Sequence, residues 1–141
     1  MSSEVEQLAQ NIARNLGWPV FPCGWNSKTP TRPKSEGGNG FKDATVNPDE
    51  IKWLWRRWPG GLIGIATGEA SGIDVLDVDV KHEMAVKWWT VASKHVPPTR
   101  TYRTRGGGCH IYFRHAAGIS NTQSKLAHGV DSRGDGGYAI A

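Results

Sequence analysis

The stretch Ile73-Asp74-Val75-Leu76-Asp77-Val78-Asp79-Val80 reads as a β-strand carrying more acid than strand interiors normally hold. Side chains alternate along a strand, so Leu76, Val78 and Val80 share one face with Asp74, while Asp77 and Asp79 project from the other. At a rise of about 3.3 Å per residue, those two carboxylates stand about 7 Å apart. They repel unless they share a cation, and Mg²⁺ takes oxygen ligands and completes its shell with substrate phosphates. The plainer reading is a pair of surface acids on a solvated sheet face. The depletion of Asp in strand interiors favours the metal.

Outward from this strand, the chain alternates between helix and strand signals. Ser3 and Glu6 have capping-box spacing, and Val5, Leu8, Ala9, Ile12, Ala13 and Leu16 recur at helical period up to Gly17. A short strand is expected at Trp18–Phe21, followed by a Gly-, Pro- and Lys-rich loop over 23–42. Asn47-Pro48-Asp49-Glu50 starts a second helix with Ile51, Leu54, Trp55 and Trp58 as its apolar stripe. Leu62–Ala66 is a strand, Glu83–Lys94 a third helix, and Thr101–Thr104 and Cys109–Arg114 two strands around the turn at Arg105-Gly106-Gly107-Gly108. A polar loop over 115–128 leads to two short strands in GVDSRGDGGYAIA, read as a hairpin about Gly134–Gly137. Adjacent strands with interspersed helices predict an α+β fold: one mostly antiparallel sheet, helices on one face, the other face open.

Composition narrows the classes without naming one. The chain has 141 residues, 38% apolar, with seven Trp, which suits one globular domain over 1–141. The formal charge of +4 is compatible with a polyanionic partner. No apolar run approaches the roughly 20 residues of a membrane span, and the acidic, amphipathic start is unlike a secretory signal. With Cys23 and Cys109 far apart, free thiols and a cytoplasmic location are expected. The absence of paired Cys or His spacing argues against structural zinc.

Two further segments carry chemistry. In Cys109–Arg114, alternation puts Cys109, Ile111 and Phe113 toward the core and His110, Tyr112 and Arg114 on the open face; the preceding glycines let backbone N–H groups approach a phosphate. In Val130-Asp131-Ser132-Arg133, Asp131 and Arg133 share a face and offer a carboxylate and a fixed cation. Each alone is weak: Gly-rich turns are common, a lone His is usually structural, and Asp131 with Arg133 makes an ordinary exposed ion pair. The tryptophans at helical positions, Trp53 among them, read as packing rather than base-stacking platforms.

Together, VFPCGWNSKTP, GFKDATVNPDEIKWLWRRWPGGLIGIATG, SGIDVLDVDV, PPTRTYRTRGGGCHIYF and GVDSRGDGGYAIA resemble the bifunctional primase/polymerase (prim-pol) family of the archaeo-eukaryotic primase superfamily, found in plasmids, phages and other mobile elements. The resemblance implies an RRM-like catalytic core. It makes Asp77, Asp79 and Asp131 ligands of Mg²⁺ or Mn²⁺ in a two-metal site and sets His110 on the phosphates of an incoming nucleotide. Arg105, Gly107 and Arg133 carry over to nucleotide binding. The implied partners are a DNA template and primer, (d)NTPs, and a helicase domain or protein. Relatives usually continue past the GGY strand, so a catalytic domain truncated at its C-terminal side is expected.

Other classes remain open on the residues alone. A DxD glycosyltransferase explains Asp77 and Asp79, and Mn²⁺-dependent UDP binding would favour it; it leaves His110 and Asp131 without roles. A metal-dependent nuclease would shorten DNA without adding nucleotides. An RRM-like single-strand-binding module would need aromatics on the open face, where Tyr112 is the clearest.

Overall fold

The computed structural model describes residues 3–96, 99–104 and 108–141. The α+β reading holds, with every strand pair antiparallel, but the strands form two sheets rather than one. The described residues fall into two compact units, 3–66 with 138–141, and 67–137. No helix among them is long and apolar enough to cross a membrane.

The first unit comprises α1 (Glu4–Leu16), β1 (Val20–Cys23), α2 (Pro48–Arg57), β2 (Leu62–Ala66) and β8 (Tyr138–Ile140), with sheet order β1-β2-β8. Both helix starts behave as their residues dictate. Ser3 Oγ accepts from the Glu6 N–H, Asn47 Oδ1 accepts from the Asp49 and Glu50 N–H groups, and Gly17 closes α1 in the left-handed region. The β1 strand starts two residues later than expected and includes Pro22. Its edge position allows a residue without an N–H. The core gathers Val20, Phe21, Ile51, Leu54, Trp55 and Ile65, and Gly64 is required because a Cβ there would meet the Phe21 ring at 2.5 Å. The loop at 23–42 contains two 3-10 turns, Lys34–Glu36 and Gly40–Asp43. Both cysteines are free, and burial pushes the Cys23 thiol up to about 12.

The second unit holds β3 (Ile73–Val78), α3 (Glu83–Ala92), β4 (Thr101–Arg103), β5 (Cys109–Arg114), β6 (Thr122–Ala127) and β7 (Val130–Arg133), in the order β4-β5-β3-β7-β6. β3 is therefore central, with α3 following it and β5 and β7 on either side. Val78, Ile111 and Val130 pack with Ala85 of α3, and Leu76, Trp88, Trp89 and Phe113 join them. Three local expectations change. β3 stops at Val78 instead of Val80, because Asp79 turns the chain: its Oδ1 accepts from the Lys81 N–H and its carbonyl from the His82 N–H. The polar stretch expected as a loop contains β6, an edge strand whose half-buried Thr122 and exposed Gln123, Ser124 and Lys125 give no apolar alternation. Finally, β7 and β8 do not form a hairpin, since they belong to different sheets.

Candidate active site

Asp77 stands at the middle of three neighbouring strands. In register it lies opposite His110 of β5 on one side and opposite Asp131 of β7 on the other. All three point away from α3, because Val78, Ile111 and Val130 occupy the alternate positions toward it. A row of carboxylate, carboxylate and imidazole thus crosses three neighbouring strands.

Each member is held. His110 Nε2 lies 3.5 Å from Asp77 Oδ2, and the His110 residue is 8% exposed. Asp131 receives the Ser124 N–H on Oδ1 at 3.0 Å and the Arg133 guanidinium on Oδ2 at 3.3 Å. Ser124 adopts φ +54 in the irregular part of the β6–β7 ladder, and its Oγ accepts from the Gly129 N–H. That bulge turns an N–H onto Asp131, where a regular ladder would spend it on a backbone carbonyl. No sequence signal marks it, because a positive φ at Ser is not a propensity of Ser.

Asp79 is not brought into this row. It sits past the strand end, with Oδ2 3.5 Å from His82 Nε2. Arg105 and Gly107 lie outside the described residues. Next to them, Gly108 hydrogen-bonds Thr104 in both directions, and a Cβ at Gly108 would meet the Val78 carbonyl at 2.6 Å. Glycine is therefore needed at position 108, against the end of β3.

The face opposite α3 is not open throughout, which corrects the expectation. Tyr112 is 6% exposed, with Tyr102 edge-on at 5.3 Å and its carbonyl bonded by the Thr99 hydroxyl. Desolvation, reinforced by Tyr102 and opposed by Arg100, raises the Tyr112 hydroxyl to about 12. Asp77, Asp131 and Arg133 keep partly exposed side chains, at 33, 21 and 29%.

A second polar cluster escaped the sequence reading. The buried Asp74 carboxylate meets His115 Nδ1 at 2.7 Å and the Ala116 N–H at 2.9 Å, and His115 Nε2 lies 3.4 Å from Asp135. The Asp74 hydrogen bond, with the charges of Asp74, Asp135 and Glu69, raises the His115 pKa against an opposing effect of burial. This satisfies an acid on the apolar side of β3 and ties β3 to the segment after β5.

Among the described residues, no group of three or more Asp, Glu, His or Cys stands arranged to hold a metal by itself. Two directly opposed carboxylates nevertheless suit Mg²⁺, which is usually held by one or two carboxylates together with substrate phosphates. A family model described as bifunctional DNA primase/polymerase, N-terminal, matches residues 9–141. No curated protein matches the chain.

Proposed function

The chain belongs to the bifunctional DNA primase/polymerase family, and on that premise we propose that the Asp77–Asp131–His110 row carries out metal-dependent, template-directed nucleotidyl transfer. Such domains generally depend on metal. The reading here assigns Mg²⁺ or Mn²⁺ as the cations, a DNA template and primer with (d)NTPs as substrates, and a mobile element as the setting. The observation that carries it is the register of Asp77, directly opposite both His110 and Asp131.

Asp77 and Asp131 would hold the cations; Asp79, a ligand by the resemblance alone, stands in the turn after β3. The chemistry such cations supply when bound is activation of a 3′-hydroxyl and neutralisation of the triphosphate and leaving pyrophosphate. The chain's own groups position and balance charge. His110, seated on Asp77, presents its imidazole to phosphate oxygens. Arg133 fixes one oxygen of Asp131 while lending a cation to the same face. The Ser124 N–H fixes the other oxygen, so the carboxylate is pre-oriented before substrate arrives. Arg105 and Gly107 contribute to nucleotide binding by the resemblance alone.

The single-strand-binding alternative loses its main support. Tyr112, the aromatic it needs for stacking, is buried. The nucleotide-sugar alternative uses Asp77 and Asp79 and ignores Asp131.

The test is calorimetric titration of dATP with Mn²⁺ into the wild-type chain, Asp77→Asn, Asp79→Asn and Asp131→Asn, followed by primer extension on a DNA template. Metal-dependent binding that is lost in Asp77→Asn and Asp131→Asn supports the site. Equal binding in all four proteins, or a preference for UDP over dATP, sinks it. Asp79→Asn separates a metal ligand, which would lose binding, from a turn residue, which would keep it.

A further inference from the structure

Helix α2 buries one stripe and exposes a second that its amphipathic pattern does not explain. Leu54, Trp55 and Trp58 are buried, as expected of the core stripe. On another face, Asp49, Lys52, Trp53, Arg56 and Arg57 follow one another at three- and four-residue spacing and line an open groove of about 360 Å³. Trp53 is 49% exposed there, a large apolar ring left in water among cations.

Other side chains pack around it. The Trp53 ring stands edge-on to Trp58 at 5.0 Å and 90°, and the Arg32 guanidinium lies 5.1 Å from the Trp53 centroid and 4.8 Å from that of Trp58. Arg32 is in turn held by Asp43 at 3.6 Å. Arg57 pairs with Glu36 at 3.2 Å, whereas among the described residues Lys52 and Arg56 face no carboxylate within ion-pair distance. The groove therefore combines a half-exposed aromatic ring with two cations that face no carboxylate, and carries more basic than acidic side chains. Phosphate alone would use the cations and leave the indole idle. A base stacked on Trp53 with flanking phosphates on Lys52 and Arg56 uses both.

We propose that this α2 groove binds single-stranded nucleic acid, with Trp53 stacking a base and Lys52 and Arg56 neutralising the adjacent phosphates. The inference goes beyond the active-site reading, since it uses neither Asp77, Asp131 nor a metal.

The experiment measures fluorescence anisotropy of a labelled oligo(dT) in EDTA without nucleotide, across a salt series, with heparin as a polyanion lacking bases. Trp53→Ala is expected to weaken oligo(dT) binding about tenfold while leaving heparin binding unchanged. Lys52→Ala/Arg56→Ala is expected to flatten the slope of log affinity against log salt by about 0.7 per lost phosphate contact, or about 1.4 in all. Both charges are exposed, so the double variant keeps the test valid if Trp53→Ala folds poorly. Unchanged affinity and slope in the double variant would overturn the proposal, as would equal weakening of oligo(dT) and heparin by Trp53→Ala. Because metal and dNTP are absent, failure here leaves the primase/polymerase site untouched, and the reverse also holds.

Discussion

Asp77→Asn should separate catalysis from folding. The substitution keeps the shape of the side chain and removes one of two carboxylates that face each other across the β3–β7 pair. Like charges directly opposite on neighbouring strands destabilise by about 0.2–1 kcal/mol. Arg133 on Asp131 already offsets part of that repulsion. The metal-free variant should therefore melt at the wild-type temperature or above it, by at most about 4 °C for a chain of this size. The comparison changes with ligand. At dATP and Mn²⁺ concentrations about a hundredfold above Kd, the wild-type protein gains about 2.7 kcal/mol of stability, or roughly 5–10 °C. Asp77→Asn should gain almost none of this. The assay is thermal unfolding followed by tryptophan fluorescence, in EDTA and with dATP and Mn²⁺. If the variant melted well below wild type in EDTA and then rose by the same increment with ligand, Asp77 would be a folding residue and the argument from facing charges would be wrong.

Ile111 is 1% exposed and packs with Val78, Ala85 and Val130, so Ile111→Ala should cost about 2–5 kcal/mol in a urea melt. A loss under about 1 kcal/mol would mean that the sheet–helix core is less tightly packed than described. His115 has a raised pKa in the folded chain, so its protonated form favours folding. The associated stability is complete below the unfolded value of about 6.5 and disappears as pH rises through the folded value. The melting-temperature advantage of wild type over His115→Gln should shrink as pH rises above about 6.5, and a gap that stayed constant would contradict the Asp74–His115 pairing.

The parts of the site that lie on strands with clean alternation were legible in the sequence. Leu76 and Val78 against Asp77, and Ile111 and Phe113 against His110, assign the faces of β3 and β5 without any knowledge of their neighbours. What could not be read was who stands beside whom. Placing Asp131 opposite Asp77 requires β7 to pair with β3 across more than fifty intervening residues, and no local preference encodes that choice. Asp79 was misplaced for a different reason. Period-two alternation continues through Val80, but Asp satisfies nearby N–H groups with its own side chain, and that local bond outcompeted another residue of ladder. β6 escaped because an exposed edge strand needs no apolar face. Helical spacing makes Trp53 a packing residue in the sequence, yet it stands 49% exposed on the stripe beside Lys52 and Arg56.

The three-stranded sheet of the first unit is discontinuous in sequence. β2 obtains its second partner only from Tyr138–Ile140, on the far side of every strand in the other sheet. During synthesis, Gly64, Ile65 and Ala66 must wait for about seventy residues to emerge before their hydrogen bonds toward β8 can close, while the five-stranded sheet already has all its strands. A ribosome-bound chain therefore carries an open β2 edge until Tyr138–Ile140 emerge, and an open edge of that kind invites pairing between neighbouring nascent chains. The chain path thus brings the two sheets to completion almost together, because β7, which carries Asp131, ends at Arg133 and β8 begins at Tyr138.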